Sequence, residues 1–289
     1  MVNALTEKGR EGFLDGTIDW DTNTIKAALV DPATADTAIK AITGATNATP
    51  IVITATAHGY SNGDLVYVDN VGGNLAANGF WKIANVATNT FELTDPISAA
   101  NAVGSAAYTS GGFAICYGPS ASGDNVDDYN GAFVGTDQTL ISPTVVSGVA
   151  DANDPTWTSV LAGNTIRALC LYKDTGTPST SRVVGLLTGK FIVTTAAAAS
   201  TSATSIVVDK LPYGIPNGTT LTFSDGKTAT LSATANAGDR SLTVSALASG
   251  ILVEKRALAP QTGSGFPLPT NGGNVNFTFD NGPNKIFKL

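Results

Sequence analysis

The sequence is poor in charged residues, in histidine, in cysteine and in long apolar runs. Charged residues make up 13% of its 289 residues, and 23 Asp and Glu outnumber 16 Lys and Arg. The net charge of −7 repels phosphate, so nucleic-acid binding is not expected. No apolar run approaches the roughly 18–20 residues that cross a membrane, so membrane insertion is not expected either. The opening MVNALTEKGREGFLDG lacks the apolar core of a signal peptide, which favours folding in a cytoplasm.

The two cysteines do not form a metal-binding pattern. Cys116 lies in FAICYG and Cys170 lies in RALCLY, and both runs are apolar and strand-like. Metal sites need several ligands at short, characteristic spacings, and these two residues are isolated. The sequence therefore predicts two buried thiols, with a disulfide between them as the alternative.

The residues that are abundant favour β-structure. Ala, Thr, Gly, Ser, Asn and Val dominate, while the helix-favouring Glu, Lys, Arg, Gln and Met are scarce. This composition is typical of short strands joined by tight turns. With 43% apolar residues, the chain is long enough to build cores for two or three small domains. We expect a mainly β protein.

A few segments predict individual elements. Residues 3–14 predict the only helix, capped by Asn3 and ended by Gly16. A strand is expected at residues 24–30. The run TIRALCLYKDTGTPSTSRVVGLLTG predicts a β-hairpin, because two apolar stretches flank a polar turn.

Two internal stretches differ in composition from the rest. Residues 46–112 alternate between short strand-like runs and Gly, Asn or Asp breaks, which predicts a small self-contained β-barrel. Residues 191–262 are rich in Ala, Thr and Ser and contain a repeat. TSIVVDKLPYGI (204–215) matches RSLTVSALASGI (240–251) at an offset of 36 residues, which predicts a small duplicated β-module.

Three separated segments are similar in sequence to a known family. They are NALTEKGREGFLDGTIDWDTNTIKAALVD, GVADANDPTWTSVLAGNTIRALCLYKDTGTPSTSRVVGLL and GGNVNFTFDNGPNKIFKL. In this order they resemble a family of structural proteins of tailed-bacteriophage virions, and the resemblance covers about half of the chain. It implies a structural role in the virion.

The resemblance also implies a domain organisation. Residues 46–112 resemble the small β-barrel of the FCCH region of ubiquitin-activating enzymes, and residues 191–262 resemble an Ala/Thr-rich β-module of phage proteins. Both are expected as insertions into surface loops. The host is expected to be a discontinuous β-sandwich or jelly-roll-like domain of residues 1–45, 113–190 and 263–289, with one N-terminal helix.

The single histidine lies in a glycine-rich stretch, TATAHGYSNGDLVYVDNVGG, with two aspartates nearby. A catalytic role for His58 requires a nucleophile or an orienting acid, and Asp64 and Asp69 are close in sequence. However, His58-Gly59 ends a strand-like run, and Asn62-Gly63-Asp64 supplies a turn. The glycines precede no helix, so no phosphate-binding loop is implied. We predict a structural role for His58.

An acidic loop, SGDNVDDYNGAFVGTDQ, is the only candidate metal site. An EF-hand alignment fails because Val126, which has no ligating atom, falls at the first ligand position. A looser calcium site formed by Asp124, Asp127 and Asp128 stays an alternative to a solvated loop. No catalytic residue and no cofactor-binding residue is predicted.

The three tryptophans, Trp20, Trp81 and Trp157, stand in strand-like contexts. Core packing is the preferred interpretation for each, and a carbohydrate or interface contact is the alternative.

The resemblance implies a virion protein, and the lack of a recognised catalytic motif favours a non-enzymatic role. The leading hypothesis is a capsid decoration, or cement, protein on the outer capsid surface that binds the major capsid protein and bridges its subunits. We expect it to assemble as a homotrimer. The alternative is a tail, head-fibre or baseplate component whose inserted modules contact host surface glycans.

Overall fold

The computed structural model describes residues 4–33, 38–117, 124–261, 265–279 and 285–288. The protein is mainly β, with 39% of residues in strands and 7% in helices. Its sheets are antiparallel, and the arrangement is that of a sandwich-like fold. The fold class expected from composition is confirmed.

The described elements are one α-helix, short 3₁₀ helices and strands of two to seven residues. The helix α1 is Glu7–Leu14, and 3₁₀ helices lie at Leu75–Ala77, Val126–Asp128, Asn130–Ala132 and Pro178–Thr180. In chain order the strands are β1 (Ala4–Leu5), β2 (Ile25–Val30), β3 (Ile39–Ala41), β4 (Gly44–Ala45), β5 (Val52–Thr54), β6 (Leu65–Asp69), β7 (Gly79–Ala84), β8 (Thr90–Thr94), β9 (Phe113–Cys116), β10 (Phe133–Thr139), β11 (Thr144–Val146), β12 (Val149–Asp151), β13 (Thr156–Trp157), β14 (Thr165–Ile166), β15 (Ala168–Lys173), β16 (Val183–Leu187), β17 (Lys190–Thr194), β18 (Ser205–Val207), β19 (Thr220–Thr222), β20 (Thr228–Thr230), β21 (Ser241–Thr243), β22 (Arg256–Pro260), β23 (Leu268–Pro269), β24 (Val275–Asn276) and β25 (Phe287–Lys288).

The chain divides into two compact units. One contains the described parts of 40–116, here called module A, and of 189–264, here called module B. The other, here called the host unit, contains the described parts of 3–39, 117–188 and 265–289. Both segments expected as insertions therefore fall in the same unit. The boundaries of a three-domain division stay a prediction.

The helix of the host unit begins later than the sequence predicts. Thr6, not Asn3, is its N-cap, and the Thr6 hydroxyl accepts a hydrogen bond from the Gly9 N–H at 2.8 Å. Asn3 lies outside the described residues, and Ala4–Leu5 pairs with β16 as a strand. A Cβ at Gly9 would lie 2.1 Å from the Val184 carbonyl oxygen, so only glycine permits this close approach.

The main sheet of the host unit has the order β1-β16-β15-β2-β10. The predicted hairpin is confirmed, because β15 and β16 pair antiparallel with Cys170 opposite Leu186. A single apolar cluster collects side chains from all three family-like segments, which are far apart in sequence. Trp20 comes from the first segment, Trp157 and Leu169 from the second, and Phe287 from the third.

Module A contains a seven-stranded antiparallel sheet with the order β3-β9-β6-β7-β8-β5-β4. The predicted small barrel is not closed in the described residues. The two edge strands, β3 and β4, are separated by only Ile42 and Thr43. The Ile42 N–H donates to the Gly112 carbonyl and the Thr43 N–H donates to the Thr54 carbonyl, so this stretch of chain passes from the β9 side of the sheet to the β5 side and its two strands do not pair with each other. The core of this module includes Ile53, Phe91 and Trp81.

Module B is built from two copies of one pattern, and the repeat is longer than the sequence indicates. The bridge between Ala199 and Ile251 recurs between Ala235 and Ile215, with each residue 36 positions from its counterpart. β18 pairs antiparallel with β21, its own equivalent, so that Ile206 lies opposite Leu242. Two equivalent strands that pair in this way are related by a local two-fold axis between them.

Backbone conformation follows the same repeat. Gly218 has a φ of 78° and its equivalent, Glu254, has a φ of 59°. Gly238 has a φ of 96° and its equivalent, Ser202, has a φ of 67°. The fold therefore requires a left-handed residue at both turns of each copy, although glycine occurs at only one of each pair.

Candidate functional site

The surroundings of His58 are buried in module A. His58 is 1% exposed, and its ring packs at 4.9 Å from that of Tyr60 and at 5.1 Å from that of Phe91. Its Nδ1 accepts a hydrogen bond from the Tyr60 N–H at 3.1 Å, which leaves the proton of the neutral ring on Nε2. Burial lowers the pKa of His58, and the carbonyls of Thr90 and Ala87 offset part of that effect.

Two further ionisable groups lie in the same core, and one of them, Asp64, is also close to His58 in the sequence. Asp64 is fully buried, and its carboxylate accepts a hydrogen bond from the Ser61 N–H at 2.8 Å, which closes the turn. The Cys116 thiol lies 3.6 Å from the same carboxylate. His58, Asp64 and Cys116 are all residue types used in catalysis, but each is no more than 1% exposed. Their described contacts hold the turn between two strands, in line with the structural role that we predict for His58.

The acidic loop does not bring its three aspartates into one described ligand group. The Asp128 carboxylate faces the Asn125 N–H at 3.3 Å, as part of a capping box around Val126–Asp128. Burial raises the pKa of Asp124, and Asp127 is exposed. Among the described residues, no three His, Cys, Asp or Glu side chains form a group able to hold a metal ion. The calcium site stays a prediction without a described ligand set.

The cysteines and tryptophans belong to the cores. Both thiols are buried and no disulfide joins them, as the preferred interpretation predicts. Trp20, Trp81 and Trp157 are 2%, 4% and 1% exposed, so the prediction of core packing is confirmed for all three.

Modules A and B meet through two partly buried ion pairs, and no motif in the sequence predicts them. Lys190 of β17 donates to both carboxylate oxygens of Asp69 at 2.6 Å. Arg256 of β22 lies 3.5 Å from Asp95, and both side chains are nearly buried, at 12% and 8% exposed. β17 and β22 pair with each other, so one two-stranded sheet carries both basic residues to module A.

A cleft of about 270 Å³ lies beside the first of these ion pairs. The side chains of Asp69, Asn78 and Lys190 in its lining already have partners. Asp69 also accepts from the Tyr67 hydroxyl at 2.8 Å, and the Asn78 amide both accepts from and donates to the Val71 backbone. The cleft is therefore best explained as part of the contact between modules A and B.

The most exposed apolar strand of the host unit is β11, at the edge of the sheet β11-β12-β25. All three of its residues are exposed, with Val145 at 46% and Val146 at 69%. The turn to β12 is Ser147-Gly148, with φ values of 53° and 76°, which is the pattern of a two-residue hairpin turn. We call Thr144, Val145 and Val146 the β11 edge. Two valines before Ser-Gly are too short a signal to predict this edge from the sequence.

A groove of about 350 Å³ lies next to the β11 edge, and we call it the Trp20 groove. Trp20 is locked in place because its Nε1–H donates to the Asp151 carbonyl at 2.9 Å, and its ring packs at 5.0 Å from that of Phe287. Two exposed carboxylates, Asp19 and Asp21, stand beside this apolar floor. The groove is lined by Phe13, Gly16, Ile18, Asp19, Trp20, Asp21, Val145, Gly148, Ala150 and Phe287.

Comparisons with known proteins do not assign the chain to a family. No known protein family matches it, and no curated protein sequence is significantly similar to it. Within the described residues, no helix is both long enough and apolar enough to cross a membrane.

Proposed function

We propose that the protein is a non-enzymatic capsid decoration protein that binds the outer face of a phage shell and bridges its major capsid subunits. The observation that carries this proposal is the shared core of the host unit. The three segments that resemble phage virion proteins are far apart in sequence, yet they contribute Trp20, Trp157 and Phe287 to one apolar cluster. Sequence segments that are scattered along the chain thus pack into one folded core.

The exposed surface of the host unit supports a role in docking. Among the described residues, the outer side of β11 pairs with no other strand, and its valines are exposed beside an apolar groove. Soluble proteins usually protect such edges, since they pair readily with another chain. A lattice of identical subunits would offer the same partner many times over.

The physical basis of a decoration role is mass action. A protein that binds only the assembled shell stabilises the shell by its binding free energy. Many copies on one lattice, and a homotrimer in each position, make individually weak contacts cumulative. The acidic net charge of −7 favours basic patches on the shell as contact sites.

Copy counting tests this proposal. In purified particles of the phage that encodes the chain, quantitative mass spectrometry should find it at a copy number approaching that of the major capsid protein. Light scattering of the purified protein should give the mass of a trimer. A few copies per particle, located along the tail, would overturn the decoration role. That result would favour the alternative of a tail, head-fibre or baseplate component.

Shell stability supplies a second measurement. Shells depleted of the protein should release their DNA at a lower temperature than complete particles, and added protein should restore the original temperature. Restoration should follow the amount bound, because the stabilisation arises from binding.

A further inference from the structure

We propose that the β11 edge and the Trp20 groove bind an extended protein segment that carries Lys or Arg beside aliphatic residues. The segment would add to the sheet β11-β12-β25 as a fourth strand, a known mode of peptide recognition. The inference rests on the proposed function in one respect, since the segment would then belong to a shell subunit.

The hairpin geometry leaves one residue available for strand addition. A two-residue turn makes Val146 and Val149 a hydrogen-bonded pair, and hydrogen-bonded pairs alternate along antiparallel strands. The N–H and C=O of Val145 therefore point away from β12. The opposite residue, Ala150, fits this alternation, because its carbonyl accepts from the Ile286 N–H at 3.1 Å on the other side.

The groove supplies the apolar part of the recognition. Trp20 and Ile18 are 2% and 3% exposed and form a fixed floor, while the half-buried Phe13 and the exposed Val145 supply most of the accessible apolar surface. Val145 lines the groove, so a strand added at the β11 edge would lie along this apolar floor. Alternate residues of an added strand point to the same face, so its aliphatic side chains would reach this floor together.

The carboxylates specify the charge of the occupant. Asp19 and Asp21 are both exposed and both line the Trp20 groove, and their proximity lowers the pKa of Asp19 and raises the pKa of Asp21. Two carboxylates so close together repel each other when both are ionised, and a Lys or Arg side chain placed beside them removes that repulsion.

A second copy of this chain fits the same surface less well. Two β11 edges pairing about a two-fold axis would use the same surface on both chains, including the Asp19 and Asp21 pair. Like charges across an interface oppose binding, and each chain carries a net charge of −7. A basic partner is therefore favoured over self-association at this surface.

A peptide probe tests the surface independently of any phage. The probe is a fluorescent peptide of alternating Val and Thr with Lys at both ends, and its twin carries Glu in place of Lys. Fluorescence anisotropy with the complete protein at low salt should show binding of the Lys peptide only. In D19N/D21N the Lys peptide should bind more weakly, whereas D209N, an exposed substitution in module B, should leave its binding unchanged.

Two substitutions at Val145 separate strand addition from simple apolar contact. Val145→Pro removes the outward N–H and should weaken binding by about tenfold. Val145→Thr keeps the N–H and should bind more tightly than the proline variant. Circular dichroism checks the fold of each variant. If Val145→Pro does not fold, D19N/D21N still decides the test.

The outcomes distinguish this inference from the proposed function. The inference is overturned if the Lys peptide does not bind, or if the Val145→Pro and D19N/D21N variants bind it as tightly as the unchanged protein. Binding to depleted shells is then measured with the same proteins. If the unchanged protein binds shells and both variants bind them equally well, this surface is not the docking site. Peptide binding without shell binding would uphold the surface and overturn the decoration role.

Discussion

Modules A and B form one compact unit, but their interiors differ in kind. Apart from its tyrosines and Cys116, module A buries five polar or ionisable side chains, and each has a local partner. Module B buries only two polar side chains among its described residues, both threonines, and repeats its backbone contacts instead. The buried polar residues are His58, Asp64, Asp69, Asn74 and Asp95 in module A, and Thr195 and Thr222 in module B.

The difference shows two ways of specifying a small β-fold. In module B the hydrogen bond from the Ser202 N–H to Leu247 recurs from the Gly238 N–H to Leu211. A backbone contact in one copy therefore predicts the equivalent contact in the other copy. In module A a contact such as the hydrogen bond from the Ser61 N–H to Asp64 occurs once and has no equivalent elsewhere in the module.

The two copies in module B differ where they meet module A. Lys190 is equivalent to Gly226, and Arg256 is equivalent to Thr220. The backbone repeat is therefore intact, while the basic residues that pair with Asp69 and Asp95 occur only once. Substituting Lys190 or Arg256 therefore removes an ion pair without changing a residue type that the two copies share.

The largest effect is expected for Arg256→Ala. This change leaves Asp95 buried without its cation, and breaking a buried ion pair in this way costs about 3 kcal/mol. The matched control is Thr220→Ala, at the equivalent but exposed position, where we expect a loss below about 1 kcal/mol. The free energy of unfolding is measured by urea titration.

Equal losses in the Arg256 and Thr220 variants would contradict this prediction. They would indicate that the Asp95 pair contributes nothing beyond the packing of the strand. The difference in stability between the two modules would then arise from the buried polar groups inside module A and not from their ion pairs with module B.

A smaller effect, of about 1–2 kcal/mol, is expected for His58→Asn. The Asn side-chain oxygen can replace Nδ1 as acceptor for the Tyr60 N–H, while part of the ring packing is lost. Because His58 is buried, truncation to Ala is expected to cost more than His58→Asn, and more than a substitution at an exposed turn.

The same variant tests a pH dependence. The pKa of His58 is lowered in the folded protein, so the unfolded chain binds the proton more readily. Stability from this group is therefore complete above the ordinary histidine pKa of about 6.5 and is lost as pH falls towards the folded pKa. Since His58 is the only histidine, the decline between about pH 7 and 5.5 should be smaller in His58→Asn. An identical decline in both proteins would assign it to carboxylates.

The comparison also explains which features the sequence predicts. Strand-forming composition, the β15–β16 hairpin and the repeat in module B are local or periodic, so they are visible in the sequence. The open sheet of module A and the cap at Thr6 depend on tertiary contacts, such as the approach of Gly9 to Val184.

The candidate surfaces were less predictable than the elements. The ion pair between Asp69 and Lys190 joins residues far apart in the chain, and neither residue stands in a recognisable motif. The Trp20 groove likewise combines α1, β11 and β25, which come from three separate segments. Side chains that meet only after folding leave no spacing pattern to find.

The smallest effects are expected from exchanging residues at the left-handed turns of module B. Glu254→Gly should stabilise the protein by about 0.5–1 kcal/mol, because a non-glycine residue is strained at its φ of 59°. Gly218→Ala, at the equivalent turn, should destabilise it by about 1 kcal/mol. No atom of the described residues lies within 4 Å of the new Cβ, so strain at the φ of 78° is the cause rather than a clash. The same exchanges at the other pair of turns, Ser202→Gly and Gly238→Ala, should behave in the same way.

Ser245→Gly, where φ is not positive, is the control and should be destabilising by about 0.5–1 kcal/mol. If Glu254→Gly is as destabilising as Ser245→Gly, the two copies do not impose the same backbone at this turn, and the repeat in module B ends before it.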